Sequence, residues 1–319
     1  MEAVLVLGTD GGAGKAMRDR LVESVPNVSE GRDRGVIETL ASAVGEVPTV
    51  RLLDVQADPD HHRTVFTVVG DPEGVVDAIL RLFAVALPRI DLRRHRGEHP
   101  RMGAVDVVPF VPVRGVTMAD CVDLARRVGQ EVWERFRVPV YLYEEAATRP
   151  QCRDLAQIRR GEFEGFPEKI HEEAWAPDFG ERVVHPTAGV TAIGAREFLI
   201  AFNVNLGTSD LSVAKAVARA VRGSSGGLRY VKALGLRLDE RGIVQVSMNL
   251  TNYKKTPLLR TLDLVRVEAG RFGVRIVGTE IVGLVPEDAL LEVAAHCLGL
   301  ERFSRDLILE QRLQSALHD

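Results

Sequence analysis

The chain has 319 residues, of which 45% are hydrophobic and 27% charged, so it can bury a sizeable core and is predicted to form two domains. Lys and Arg number 41 against 45 Asp and Glu, a formal net charge of -4. The two signs are interspersed and only 5% of residues are aromatic. This composition gives no support to a nucleic-acid partner and leaves an enzyme of small molecules open.

Cysteine usage and hydropathy indicate the compartment. Cys121, Cys152 and Cys297 are far apart and have no neighbours at metal-ligand spacing, so neither a disulfide framework nor a metal site is predicted. No apolar run approaches the roughly 20 residues that span a bilayer, and Glu2 and Asp10 stand where a signal peptide would be basic. We therefore expect a cytoplasmic protein without a membrane partner or a bound metal.

The N-terminus combines an apolar run at residues 3–7 with a glycine-rich segment that ends at Lys15. A strand that enters such a loop can cradle a phosphate. A P-loop, however, needs glycine where Thr9 stands and Ser or Thr where Ala16 stands, and the dinucleotide spacing of glycines is absent. Residues 1–16 are therefore predicted to be a disordered extension, with a nucleotide enzyme as the outside alternative.

The first half of the chain alternates strands and helices. Its predicted elements are a strand near 21–25, a helix at 33–44, a hairpin of 51–57 and 63–70, a helix at 71–87, a strand at 105–113, a helix at 118–136 and a strand at 138–143. Asn27 and Ser29 lie in the first turn, where they either cap the helix or face a substrate. The segment 144–191 lacks periodicity, which is typical of a linker or a working surface.

The order of elements then repeats. The predicted elements of the second half are a strand at 198–205, a helix at 209–221, strands at 231–238 and 243–250, a helix opened by Thr256-Pro257, a strand at 274–277, and helices at 286–298 and 303–317. Each half thus reads β-α-β-β-α-β, the order of a ferredoxin-like plait. We predict an α+β fold of two tandem plaits, at 17–195 and 196–319, with a ligand crevice between them.

The loop 91–104 is the densest polar segment, and it runs directly into the β-branched strand at 105–113. Within it, His99 is the candidate general acid/base, because an imidazole with a pKa of about 6.5 exchanges protons at neutral pH. Glu98 could orient an imidazole, either His99 or His95. Taken alone, a His-Pro pair before a strand is more often only a turn.

Several long motifs, in the same order along the chain, resemble the glutamate formimidoyltransferase family. The segments that carry the resemblance are Val25-Pro26-Asn27-Val28-Ser29-Glu30-Gly31, Arg96-Gly97-Glu98-His99-Pro100-Arg101-Met102-Gly103-Ala104, Trp175-Ala176-Pro177-Asp178-Phe179-Gly180, Phe198-Leu199-Ile200-Ala201-Phe202-Asn203-Val204-Asn205 and Ile281-Val282-Gly283-Leu284-Val285-Pro286. The likeness extends over residues 22–315. It includes the transferase half of formimidoyltransferase-cyclodeaminase.

This resemblance implies transfer of a formimidoyl group from N-formimidoyl-L-glutamate to N5 of tetrahydrofolate, a step of histidine degradation. It implies two ferredoxin-like subdomains, a homodimer, tetrahydrofolate as co-substrate and His99 as the catalytic residue. The folate-binding segment maps onto Gly180, Glu181, Arg182, Val183, Val184, His185, Pro186, Thr187, Ala188 and Gly189. We expect this segment on the opposite side of the crevice from His99.

Both implied substrates are acidic, so arginines are expected near the site. Arg101 and Arg63 are the candidates for a substrate carboxylate, whereas Arg93 and Arg94 are expected to be solvated. His61 and His62 occupy a hairpin turn and are also expected to face solvent, with a substrate contact as the alternative because the turn lies near an end of the sheet. The alternatives are a folate enzyme that uses a formyl donor or cyclises 5-formyltetrahydrofolate, and a non-catalytic folate-binding protein.

Overall fold

The computed structural model describes residues 20–318, which contain 11 strands and nine α-helices. The predicted extension at 1–16 and its glycine-rich loop lie outside the described residues. The strands are β1 (Leu21–Ser24), β2 (Asn27–Val28), β3 (Val50–Asp58), β4 (Arg63–Gly70), β5 (Val105–Arg114), β6 (Val140–Glu144), β7 (Thr191–Ala195), β8 (Ile200–Leu206), β9 (Val231–Leu238), β10 (Ile243–Leu250) and β11 (Ile276–Val282).

Helices fill the intervals between these strands. They are α1 (Arg34–Gly45), α2 (Pro72–Ala86), α3 (Met118–Phe136), α4 (Leu155–Arg159), α5 (Glu162–Lys169), α6 (Leu211–Val221), α7 (Leu258–Gly270), α8 (Glu287–Leu298) and α9 (Leu309–His318). The helix expected at 303–317 thus begins later, at Leu309. Among the described residues, no helix combines the length and apolarity needed to cross a membrane.

Local capping explains where the first three helices begin. Asp33 accepts a hydrogen bond from the backbone N–H of Val36, and Asp71 accepts one from Gly74. Thr117 and Asp120 form a reciprocal capping box at the start of α3. These caps satisfy backbone donors that the first helical turn leaves unpaired, so the predicted starts of α1, α2 and α3 are confirmed to within one residue.

The first sheet has seven strands in the order β3-β4-β1/β2-β5-β7-β6. β1 and β2 both lie between β4 and β5 and pair antiparallel with each, so they act as one strand interrupted at Val25-Pro26. Over residues 21–114 the observed order is β-α-β-β-α-β, as predicted. The sheet nevertheless exceeds the four strands of a single ferredoxin-like plait, because β7 and β6 extend it.

The two added strands are parallel to β5: β5 pairs with β7, and β7 with β6. Every residue of β7 is buried, so its sequence shows no alternation of apolar and polar side chains. A strand covered on both faces gives no period-2 signal. For this reason the sequence does not predict a strand at 191–195, which follows a segment that was expected to be irregular.

The core of this half joins the helices to the sheet. Large side chains that are fully enclosed include Leu40, Phe66, Ile79, Phe83 and Phe110. Burial of such side chains is the main term that favours folding. It fixes the ends of β3, β4 and β5, from which the loops of the candidate site project.

The second sheet has four strands in the order β11-β8-β10-β9. β8 and β10 pair antiparallel, with Val204 opposite Val246. The elements again follow the predicted order β-α-β-β-α-β, and α8 and α9 come after them. By compactness the described residues divide into one unit that holds 20–198 with 236–243 and 282–284, and a second that holds 199–235, 244–281 and 285–318. The predicted crevice stays a prediction.

Candidate active site around His99

The loop 91–104 is fixed by backbone hydrogen bonds at several points. Leu92 N–H donates to the Thr187 carbonyl at 2.9 Å, and Glu98 N–H donates to the Asp60 carbonyl at 3.1 Å. At Gly97, a Cβ atom would lie 2.4 Å from the His61 carbonyl oxygen, so a larger residue would push the loop away. The loop is therefore packed directly on the turn that joins β3 and β4.

His99 is partly buried in this loop, and its Nδ1 has two neighbours with opposite requirements. Arg63 Nη1 lies 2.6 Å from Nδ1, and the Pro100 carbonyl oxygen lies 2.8 Å from it. The guanidinium can only donate and the carbonyl can only accept, so one neutral imidazole satisfies one of them at a time. Whichever neighbour is bonded decides whether Nε2 carries a proton or a lone pair.

The surroundings of His99 favour its neutral form. Burial lowers the pKa of His99 well below its usual value, and the positive charges of Arg63 and Arg159 lower it further. Protonation would place a third cation beside two guanidinium groups. The imidazole is therefore neutral at pH 7 and available to accept a proton.

Arg63 links His99 to the strands of the first sheet. Its Nε donates to Asn27 Oδ1 at 2.7 Å, and its Nη1 lies 3.6 Å from Asp106 Oδ2. Burial lowers the pKa of Arg63 to about 9, and repulsion from Arg159 contributes. The side chain is only 13% exposed. It therefore presents a fixed cation beside the imidazole.

Asp106 is the anionic centre of the site. Its Oδ1 accepts hydrogen bonds from the backbone N–H groups of Met102 and Gly103, at 2.8 and 3.1 Å. Its Oδ2 accepts from Arg159 Nη2 at 2.6 Å. Neither Asp106 nor Arg159 is among the site residues predicted from the sequence. The available signal was a carboxylate inside the otherwise apolar run of β5, which a buried strand carries only when the charge is paired.

The turn between β3 and β4 differs from its sequence-based prediction. His61 is buried, and its Nδ1 lies 2.9 Å from Asp58 Oδ2. His62 contacts Glu30 Oε1 through Nε2 at 3.2 Å and stacks on the ring of His95 at 4.1 Å. The expectation that both histidines face solvent is wrong. They are covered because the loop 91–104 folds over the turn.

Arg101 is held by acidic side chains of α5. It contacts Glu162 at 3.0 Å and Glu164 at 2.6 Å, and its Nε donates to His95 Nδ1 at 3.2 Å. Its guanidinium thus already has partners, and a role in binding a substrate carboxylate stays a prediction. Arg93 and Arg94 are exposed, as expected.

The segment 180–189 is joined to the loop 91–104 by backbone hydrogen bonds. Ala104 N–H donates to the Ala188 carbonyl, and Val190 N–H donates to the Met102 carbonyl, both at 2.9 Å. Gly189 has φ +72°, and a Cβ there would lie 2.0 Å from the Met102 carbonyl oxygen. The expectation that this segment lies on the opposite side of a crevice is therefore wrong, since both segments belong to the same compact unit.

Two side chains of this segment have internal partners. His185 Nδ1 accepts a hydrogen bond from Ala188 N–H at 3.0 Å, and burial lowers the pKa of this imidazole. Arg182 pairs with Glu173 at 2.5 Å. A cavity of about 280 Å³ lies beside them, and it is lined by Phe163, Pro167, Ile170, His171, Arg182, Val183, Val184, His185 and Pro186. The segment thus presents an apolar concave surface with a basic margin.

The arrangement favours proton transfer and anion binding. Within residues 20–318, no cluster of three or more His, Cys, Asp or Glu side chains is placed to hold a metal ion. What converges instead is one neutral imidazole, two guanidinium groups and a buried carboxylate. Such a set can bind a carboxylate and move a proton next to it.

Comparison with known proteins agrees with the motifs. Residues 21–196 match the model of the "Formiminotransferase domain, N-terminal subdomain", and residues 201–317 match that of the "Formiminotransferase domain". The chain is 51% identical over 298 residues to glutamate formimidoyltransferase of Thermoplasma acidophilum, covering 93% of this chain and 98% of that one. It is 47% identical over 295 residues to the enzyme of the same name from Streptococcus pyogenes, covering 92% and 99%.

A longer relative matches over part of its length. Formimidoyltransferase-cyclodeaminase of Rattus norvegicus is 46% identical over 289 residues, which cover 89% of this chain and 53% of that protein. The matches to the two family models and the identity along the whole length of the microbial relatives show that the chain belongs to the formiminotransferase domain family.

Proposed function

We propose that this protein is a glutamate formimidoyltransferase, which transfers the formimidoyl group from N-formimidoyl-L-glutamate to N5 of tetrahydrofolate in histidine degradation. Relatives that carry this name are 47% and 51% identical to it over nearly the whole chain. Tetrahydrofolate is the co-substrate and no metal takes part. The placement of His99 is the observation that carries the proposal.

The reaction requires one proton to leave and one to arrive. N5 of tetrahydrofolate attacks the amidine carbon of formimidoylglutamate, and the adduct must lose the N5 proton. The glutamate nitrogen must gain a proton before its bond to carbon breaks. A general acid/base next to the adduct contributes about 100- to 10,000-fold in rate. His99 supplies this group, because its imidazole is neutral at pH 7 and so can take up the first proton.

The substrates are acidic, and the site offers one well-placed cation for them. Arg63 contacts His99 directly, so a carboxylate on its guanidinium would lie close to the imidazole. The segment Gly180–Gly189 is proposed to bind the folate. Its support is the hydrogen bonding of residues 188–190 to residues 102–104, which keeps a folate on this segment near His99.

The subdomain organisation is part of the proposal. We place one ferredoxin-like subdomain in residues 17–195, which includes a connecting segment, and a second in 196–319. The order β3-β4-β1/β2-β5 in the first sheet and the order β11-β8-β10-β9 in the second support a shared plait. The ranges of the two family models meet near residue 196. A homodimer in the cytoplasm completes the proposed state.

Replacement of His99 tests the assignment. In His99→Ala, we expect kcat for formimidoyl transfer to tetrahydrofolate to fall about 1000-fold, while folate binding, measured by calorimetry, changes little. His296→Ala is the matched control. His296 is exposed on α8, so the activity of this variant should equal that of the wild type. Near-normal transfer by His99→Ala would refute the role given to this imidazole.

The donor is tested in the same assay. Formimidoylglutamate, a formyl donor and 5-formyltetrahydrofolate are offered separately to the wild-type protein, and product is followed by chromatography. We expect product only when formimidoylglutamate is the donor and tetrahydrofolate the acceptor. Turnover of either other compound in its place would identify the related folate enzyme, and folate binding without any product would identify a binding protein.

A further inference from the structure

His61 forms a defined pair with Asp58 at the turn that follows β3. Its Nδ1 lies 2.9 Å from Asp58 Oδ2, and its backbone N–H donates to Asp58 Oδ1 at 2.8 Å. Two bonds from one carboxylate fix the orientation of the ring. Because a carboxylate only accepts hydrogen bonds, the proton of the neutral ring resides on Nδ1. Nε2 is therefore left with a lone pair.

The Nε2 atom of His61 is buried and has no hydrogen-bond partner among residues 20–318. An unpaired buried acceptor costs about 1–3 kcal/mol, so its presence calls for an explanation. The ring of His61 stands edge to face against that of His99, with centroids 5.8 Å apart and planes at 75°. The unpaired nitrogen thus belongs to a ring in direct contact with the proposed catalytic imidazole.

The two rings differ in the charges around them. His99 faces the guanidinium groups of Arg63 and Arg159, which disfavour a positive imidazole. His61 faces Asp58, whose pKa is lowered because hydrogen bonds from the His61 side chain and backbone outweigh the opposing effect of burial. An ionised carboxylate stabilises an adjacent imidazolium.

We propose that His61, oriented by Asp58, is a positioning residue for proton transfer, which stores on Nε2 the proton that His99 takes from the attacking nitrogen. The inference rests on the proposed function of His99. As the bond from N5 to the amidine carbon forms, the N5–H bond breaks and its proton passes through His99 to His61. As the bond from carbon to the glutamate nitrogen breaks, the same proton returns through His99 to that nitrogen.

The step is balanced without any other reactant. One proton leaves the acceptor and one reaches the leaving amine, and both imidazoles end in their starting forms. Nε2 of His61 makes no direct hydrogen bond to His99 among residues 20–318, so the proposed transfer between rings whose centroids lie 5.8 Å apart runs across one bridging water. Asp58 and His61 are arranged like the carboxylate and histidine of a catalytic triad, in which the carboxylate orients the imidazole and stabilises its imidazolium form during the reaction.

Chemical rescue separates this role from a purely structural one. In His61→Ala, we expect kcat to fall about 100-fold, at the lower end of the range for loss of a proton-transfer group, with KM for both substrates within about threefold. Added imidazole should restore kcat with saturation, because it can occupy the space left beside His99. His62→Asn is the matched control: it lies in the same turn with φ 50°, which Asn tolerates, and imidazole should not raise its kcat.

A second variant covers the case in which His61→Ala does not fold. Asp58→Asn keeps an acceptor oxygen for the turn but removes the charge that stabilises the imidazolium, so kcat should fall by more than about threefold with KM unchanged. If both His61→Ala and Asp58→Asn stay within threefold of wild-type kcat, or if imidazole gives no rescue of a folded His61→Ala, the inference is refuted. Normal activity of His99→Ala would instead refute the role of His99 on which this inference rests, and a wild-type protein that does not transfer formimidoyl to tetrahydrofolate would refute the proposed function.

Discussion

Two pairs of histidines meet on the β3–β4 turn, and their hydrogen bonding differs. In the pair His62 and His95, all four ring nitrogens have a partner: Arg96 O and Glu30 Oε1 for His62, and His62 O and Arg101 Nε for His95. Their rings are stacked, with planes at 7°. In the pair His61 and His99, the rings stand at 75° and Nε2 of His61 is buried without a partner in the described part of the chain.

The difference in hydrogen bonding indicates that one pair of histidines stabilises the fold and the other is suited to proton transfer. Satisfied nitrogens lower the free energy of the folded state, and they leave no site where a proton can be added. An unsatisfied nitrogen weakens the fold, and it offers such a site. His62 and His95 therefore hold the loop 91–104 on the turn, while His61 and His99 are the pair to which we assign proton transfer. Each pair also has its own arginine, Arg63 beside His99 and Arg101 beside His95.

The largest effect is expected at Arg63. Arg63→Met removes the cation that contacts His99 and that we assign to a substrate carboxylate, so kcat/KM should fall about 100- to 1000-fold, as for loss of a transition-state donor. Asp106 keeps its bond to Arg159, which preserves the local fold. Steady-state kinetics with circular dichroism measure the two effects separately. If Arg63→Met lost structure while the folded fraction kept its specific activity, Arg63 would contribute to stability and not to substrate binding.

The next effect is expected in the pH dependence of stability. Burial lowers the pKa of His95 to about 4, below the unfolded value of about 6.5. Between these two pH values the unfolded chain binds more protons than the folded chain. The contribution of neutral His95 to the free energy of unfolding is therefore fully present above about pH 6.5 and decreases as the pH falls toward 4. From pH 7.5 to 5 this loss amounts to about 2 kcal/mol.

Urea unfolding of wild type and His95→Gln at these two pH values measures this contribution. The charged and titratable groups that affect His95 are His62, Arg101 and Glu30, and all remain in the variant. The variant should therefore lose about 2 kcal/mol less than the wild type on acidification. An equal loss in both proteins would mean that His95 does not govern the stability of this loop.

The smallest effect is expected at Arg101. Arg101→Met keeps the buried packing but removes the bonds to His95, Glu162 and Glu164, and both glutamates are about half exposed. We expect a loss of about 1–2 kcal/mol in the free energy of unfolding, with kcat/KM within about threefold of wild type. A large rise in KM for formimidoylglutamate, with unchanged stability, would instead support the substrate contact predicted from the sequence.

The sequence by itself determined the order β-α-β-β-α-β in both halves, but not α4, α5 or β7. Amphipathic helices and alternating strands leave periodic signals, and Asp33, Asp71 and Thr117 mark where helices begin. It also selected His99 and Arg63, since charged and imidazole side chains concentrate at the ends of β4 and in the loop before β5. These features are local, and neighbours along the chain are sufficient to define them.

Only the tertiary structure decided which of these groups touch. Asp106 and Arg159 are 53 residues apart, and Asp58–His61 meets His99 only because the loop 91–104 folds over the β3–β4 turn. The placement of residues 188–190 beside 102–104 likewise depends on the pairing of β5 with β7. Contacts of this kind arise from packing and long-range strand pairing, which local periodicity does not encode. The protonation and the partners of each imidazole follow from them.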